Sequence, residues 1–153
     1  MSATAVIENV RFTRAAGQIL WLVGSVRTAA IEQKNLTFAA GDDIWTDLIR
    51  AGQIDSLTSQ INPWNGMVRA VATADGAMRV ESDLPPHDCR RLILYFLRRQ
   101  PAELGLLSIE AQAATDIAWT AVYPPPPTQQ DDGTQQACGN AENARLALVF
   151  RIR

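Results

Sequence analysis

Residues 3–34, ATAVIENVRFTRAAGQILWLVGSVRTAAIEQK, are the stretch whose reading decides the fold. Phe12, Ala16, Ile19, Val23, Val26 and Ala30 recur at steps of four and three, the spacing that lines one face of a helix. No proline interrupts the run, and Leu20, Trp21 and Leu22 occupy its middle. The pattern predicts one helix roughly 45 Å long. A domain of this chain length has a radius of gyration of only about 15 Å, so such a helix spans the domain or projects from it.

Working outward, 153 residues suit a single domain, 1–153, with a sizeable core. The formal net charge is −2 and the mean hydropathy −0.06, which excludes a disordered tail and a strongly basic nucleic-acid binder. Thirteen of the 14 basic residues are arginine, Lys34 being the exception. The longest uncharged apolar run, residues 15–26, falls well short of the roughly 20 residues needed to span a bilayer. No secretory h-region follows Met1. By these signals alone the chain reads as cytoplasmic.

The two cysteines point elsewhere. With no CxxC and a single histidine, His87, no zinc site is expected. Two free buried thiols remain one reading. Cys138 lies in a Gly- and Asn-rich loop, a poor setting for a core thiol, so a Cys89–Cys138 disulfide joining helix to loop fits better. A disulfide implies an oxidising compartment, and the missing export signal then implies an N-terminal segment beyond the sequence given.

Past residue 34, Asp42 or Asp43 is placed to cap a short second helix with Ile44, Trp45, Leu48 and Ile49 on its apolar face and Gly52 at its end. Residues 61–66, INPWNG, combine two turn signals around Trp64; a buried Trp64 would clamp the loop onto the domain, but an ordinary tight turn before a strand is the favoured reading. Asp75-Gly76 predicts a hairpin between strands 67–74 and 77–82, with Arg69, Thr73, Arg79 and Glu81 towards solvent. A third helix is expected over 88–100, burying Cys89, Leu92, Ile93, Phe96 and Leu97. Alternation predicts strands over 115–123 and 144–152, separated by prolines 124–127 and a polar loop, 128–136. The expected class is α+β: a long N-terminal helix on an antiparallel sheet of about four strands.

No catalytic motif is found: the chain has no phosphate loop, no GxSxG and no histidine pair at metal spacing. His87 beside Asp88 reads as a helix start, and Cys89, on the apolar face, points away from His87. No cofactor, metal site or enzymatic activity is expected. Arg90, Arg91, Arg98 and Arg99 form a possible anion or DNA patch, although arginines on a helix ordinarily make a solvated face.

The order of these parts resembles the type IVb pilins, subunits of thin filaments on Gram-negative bacteria, and above all those of conjugative thin pili and bundle-forming pili. The matching pieces are residues 61–66, residues 84–89 (LPPHDC) leading into the third helix, and Cys138-Gly139-Asn140 before the closing strand. The resemblance spans about residues 5–150. It implies a structural, non-enzymatic subunit of an extracellular pilus that supports adhesion, aggregation or conjugation. Such a subunit is anchored in the inner membrane, facing the periplasm, until assembly. Its partners are further copies in a helical filament, the assembly machinery, a prepilin peptidase and a cell-surface target. The family's apolar N-terminal half-helix has no counterpart here, and Glu8 does not match the family's early glutamate, so a soluble piece without the membrane half is expected. Cys89 and Cys138 then bound the disulfide-closed region, residues 115–138 form its variable outer patch, and Glu8, Arg11, Arg14 and Trp21 face neighbouring subunits. The alternatives are a minor pilin or tip adhesin that binds DNA or a surface through the arginine helix or loop 124–133, and a type II secretion pseudopilin. Calcium-binding loops are frequent in pseudopilins, and Asp131-Asp132 is a slight hint of one.

Overall fold

The computed structural model describes residues 2–33, 36–113, 118–124, 137–140 and 142–153. Helix α1 runs Ala3–Glu32, and Ser2 caps it, its Oγ accepting from the Ala5 amide at 3.2 Å. Burial begins only at Ala15: from there Ala15, Ala16, Ile19, Leu22, Val23, Val26, Ala29 and Ala30 are buried, whereas no residue of 3–14 is. Half-buried Phe12 departs from the expected burial under the sheet. It meets the edge of Tyr95 on the third helix at 5.8 Å and packs against the border of the core. At its other end α1 is tied down by Arg27, which donates to the Arg151 carbonyl (Nε, 3.0 Å) and the Leu104 carbonyl (Nη2, 2.7 Å). Burial, and then the nearby Arg151, hold Arg27 below the ordinary arginine value.

Helix α2 is short, Ile44–Arg50. Asp43 is its N-cap residue, yet neither aspartate caps a backbone amide of the helix. Asp43 accepts from Thr46 Oγ1 at 2.6 Å, and Asp42 accepts from the Ala39 amide at 3.1 Å, folding the approach rather than closing the end. Trp45 is 1% exposed, and its indole N–H donates to the Val68 carbonyl at 2.9 Å, so the largest core residue leaves no buried donor unpaired.

Among the described residues five strands form one antiparallel sheet in the order β1-β2-β5-β3-β4, one more strand than expected. They are β1 Val68–Ala72, β2 Ala77–Leu84, β3 Leu106–Gln112, β4 Thr120–Tyr123 and β5 Ala144–Arg151. The additional strand is β3. Its sequence, LLSIEAQ, favours helix by propensity, and a register shift between Leu106 and Ser108 breaks the period-two pattern. Pairing with β5 overrides both. Residues 114–117, 125–136 and 141 lie outside the described residues, and with them the first part of the expected strand 115–123, most of the polyproline run and Asp131-Asp132.

β5 sits at the centre, with Leu146, Leu148 and Phe150 facing the helices and Arg145 and Arg151 turned away. Helix α3, Pro86–Leu97, packs on the same side through Leu92, Ile93 and Phe96, the last against Phe150 at 6.0 Å. It begins two residues earlier than expected, because a proline is tolerated in the first turn, where its missing N–H would have no partner anyway. Its last turn closes at Leu97 rather than 100. Cys89 and Cys138 form a disulfide, so neither thiol is free and an oxidised state is part of the fold. Closing a loop of this length stabilises by about 4 kcal/mol in the chain-entropy treatment.

Candidate functional site

Two surfaces stand out once the core is accounted for: the outer side of α1 and the turn of residues 62–66 over the open face of the sheet. At about 100° per residue, Val6, Val10, Gly17, Trp21, Gly24 and Ile31 fall on or beside the face opposite Ile19, Val23 and Val26, with Ile7 on its flank. All seven are exposed, Val6, Ile7, Val10 and Trp21 by 45–51% and Ile31 by 75%. The helix thus carries exposed apolar side chains on its outer side as well, set among Thr13, Arg14 and Thr28, and the spacing of the inner stripe gives no sign of them. At Gly17 and Gly24 an added Cβ would meet nothing within 4 Å. Among the described residues no packing calls for a glycine there, although each costs about 1 kcal/mol relative to alanine in a helix interior.

The residues expected to face neighbours do not share one surface. Arg14 and Trp21 lie on the outer side, and the Trp21 ring tilts against Trp45 at 6.4 Å. Glu8 and Arg11 lie on the prolongation of the inner stripe, above the start of α3. There Asp88 is held above the ordinary carboxylate value, chiefly by burial. Glu8 pushes the same way, and His87, Arg91 and Arg11 oppose it. The split follows from helical phase: Glu8 is eleven residues before Ile19, close to a whole number of turns.

The four arginines of α3 separate as well. Arg90 turns towards the disulfide and donates to the Gly139 carbonyl at 2.9 Å. Arg91 donates to Asn9 Oδ1 at 3.1 Å and stacks on Phe12 at 4.2 Å, while Arg99 stacks on Tyr95 at 4.0 Å. Arg91, Arg98 and Arg99 line a shallow groove of about 360 Å³ with Phe12, Leu94 and Tyr95. The expected patch of four is thus a groove of three plus a structural anchor.

Asn62, not Trp64, is the buried clamp of the 62–66 turn: Asn62 is 3% exposed and Trp64 only half-buried. Asn62 Nδ2 donates to Ser82 Oγ at 2.9 Å and to the Asp83 carbonyl at 2.6 Å. Its Oδ1 accepts from the Trp64 and Gly66 amides at 3.0 and 2.9 Å. Both donors and the acceptor oxygen of the amide are satisfied. Gly66 lies against the Asp83 carbonyl with no room for a Cβ, and Asn65 takes a left-handed φ of 62°.

Below the turn, Arg145 Nε donates to Asp83 Oδ1 at 2.6 Å and Arg69 Nη2 approaches Asp83 Oδ2 at 3.4 Å. Further along the same face, Arg79 pairs with Glu81 at 3.8 Å and Glu110 at 3.5 Å and stacks on Trp119 at 4.7 Å. Alternating charge on the sheet face away from α1 keeps it hydrated and discourages face-to-face aggregation.

Among the described residues, no group of three or more His, Cys, Asp or Glu side chains is placed to hold a metal ion. Cys89, being disulfide-bonded, cannot act as a nucleophile beside His87. Among the described residues no helix is long and apolar enough to cross a membrane. Comparison of the chain with protein-family models, with curated proteins and with solved structures finds no match.

Proposed function

We propose that this chain is a structural subunit of a type IVb pilus filament, packed against its neighbours through the outer face of α1. The observation that carries this is the outer side of α1, where Val6, Ile7, Val10, Trp21 and Ile31 stand exposed among Thr13, Arg14 and Thr28, beside two glycines that no contact among the described residues explains. Apolar side chains flanking glycines let two helix axes approach closely and bury area on both sides. A helix of about 45 Å offers that surface along a filament axis. The disulfide suits export to the periplasm and then the cell surface. In this role the protein is inner-membrane-anchored before assembly, is processed by a prepilin peptidase, is handled by pilus machinery, and serves adhesion, aggregation or conjugation without enzymatic activity.

A second reading, a minor or tip subunit that binds DNA, is favoured only by the groove of Arg91, Arg98 and Arg99 beside Phe12 and Tyr95. One experiment separates the two. An antibody against this domain is used on filaments sheared from producing cells. Labelling along the filament length supports the structural subunit, labelling confined to tips supports the minor subunit, and absence from the surface fraction rejects both.

A further inference from the structure

The cleft beneath the 62–66 turn has a composition that neither the filament role nor the fold requires. It holds about 450 Å³, within the usual range for small-ligand sites, roughly 300–1,000 Å³, and opens on the side of the sheet away from α1. Trp64 and Met67 (50% exposed) form an apolar wall. Asn65, Arg69, Asp83, Asn143 and Arg145 line the rest. They come from a turn, three neighbouring strands and the segment leading into β5, so only the sheet register brings them together.

We propose that this cleft is a saccharide-binding site, taking a pyranose ring through its hydroxyls and its C–H face. Asp83 lies between two guanidinium groups, and its oxygens keep lone pairs free to accept from hydroxyls. Arg69 and Arg145 keep N–H donors beyond those spent on Asp83, and Asn65 and Asn143 each offer a donor and an acceptor. A simple anion would use only the donors and leave the Asp83 oxygens without a further partner. A peptide hydrocarbon chain would leave the whole polar set unpaired. A polyol satisfies donors and acceptors together while its apolar ring edge rests on Trp64, whose indole presents apolar area with little conformational entropy to lose.

The site is also formed in advance. Buried Asn62 locks the turn that carries Trp64 and Asn65 onto β2, and the Arg69–Asp83–Arg145 row fixes the floor. Pre-organisation of this kind lowers the entropy lost on binding. The cleft is separate from the outer face of α1, so the inference stands or falls independently of filament assembly.

The test is a titration of the isotope-labelled folded protein, followed by backbone amide signals, with glucose, galactose, mannose, N-acetylglucosamine and N-acetylneuraminic acid, and with inorganic phosphate as a control. The expected result is saturable shifts at residues 64–69, 83 and 143–145 for at least one sugar, largely insensitive to salt where that sugar is neutral. A neutral sugar as the responder defines a neutral glycan target, and N-acetylneuraminic acid as the responder defines an acidic one. Asn65→Gly keeps the left-handed backbone and removes the side chain. It should weaken binding by at least about tenfold with an unchanged melting temperature, and Trp64→Ala should abolish binding. Silence across all the sugars overturns the proposal, as do shifts with phosphate alone or binding untouched by Asn65→Gly.

Discussion

The two halves of α1 share one backbone, one N-cap and one unbroken hydrogen-bond ladder, yet they live in different solvents. Residues 15–32 bury Ile19, Leu22, Val23 and Val26 to 3% exposure or less, whereas residues 3–14 leave Val6, Ile7 and Val10 about half exposed. The embedded half is held by packing, as helices in proteins generally are. The projecting half, about 18 Å long, is fastened among the described residues by Phe12 against Tyr95 and Arg91, the Asn9–Arg91 bond and electrostatics across to Asp88. The difference teaches that apolar character on a helix has two uses, and that burial within the chain accounts for only one of them here.

The largest expected effect comes from putting the same charge into each half. Val26→Asp places a carboxylate where exposure is 0%, and should remove cooperative unfolding altogether, since the cost rivals the stability of a whole domain. Val6→Asp should leave the unfolding free energy from urea melts within about 0.5 kcal/mol of the parent while weakening association between copies. Equal destabilisation by the two would erase the distinction between the halves.

Next in size is the staple behind α3. Cys89→Ser should cost about 4 kcal/mol and lower the melting temperature by about 10 °C in thermal melts followed by circular dichroism. The loss should fall on the embedded half of α1 and on α3, which share the core, and should leave the projecting half no less helical than before.

A smaller effect with an informative sign comes from the outer face. Gly17→Ala and Gly24→Ala should each raise the stability of the isolated protein by about 1 kcal/mol, because a methyl meets open space there. The same changes should impair filament formation, scored by pelleting and electron microscopy, because a methyl on each helix separates the axes. Greater stability with undiminished assembly would detach the glycines from any interface.

The smallest effect concerns pH at the junction of the halves. Burial raises the Asp88 carboxyl above its ordinary value of 3.8. The folded state therefore keeps a proton that the unfolded state has already lost, and stability drains away as pH rises from about that ordinary value through the raised one. Asp88→Asn should flatten this part of the pH profile in urea melts and make the protein no less stable at neutral pH. A profile with unchanged slope would mean that Asp88 is solvated.

Much of this was legible in the sequence, where local signals and tertiary structure agreed. The inner stripe of α1, the Asp75-Gly76 hairpin and the apolar face of α3 each follow from spacing or turn chemistry that the fold keeps, and the Cys89–Cys138 pair from the polar loop around Cys138. β3 was not legible, because Leu106, Glu110, Ala111 and Gln112 carry helix propensity and a bulge hides the strand period. The split of Glu8 and Arg11 from Arg14 and Trp21 was readable from helical phase alone, but only once the inner stripe is extended backwards past Phe12. The cleft at Trp64 had no linear signature at all. Arg69, Asp83 and Arg145 are neighbours only through the pairing of β1, β2 and β5, and Asn62 acts through bonds to Ser82 and Asp83 that no local pattern announces.

The central claim is that the outer face of α1 is where one subunit meets the next. Amide hydrogen exchange, compared between the isolated protein and the same protein in assembled filaments, tests it most directly. Residues 3–14 should exchange quickly in isolation and residues 15–32 slowly, and assembly should bring the first set close to the second. If assembly leaves residues 3–14 as unprotected as before and shields a different surface, α1 is not the subunit interface.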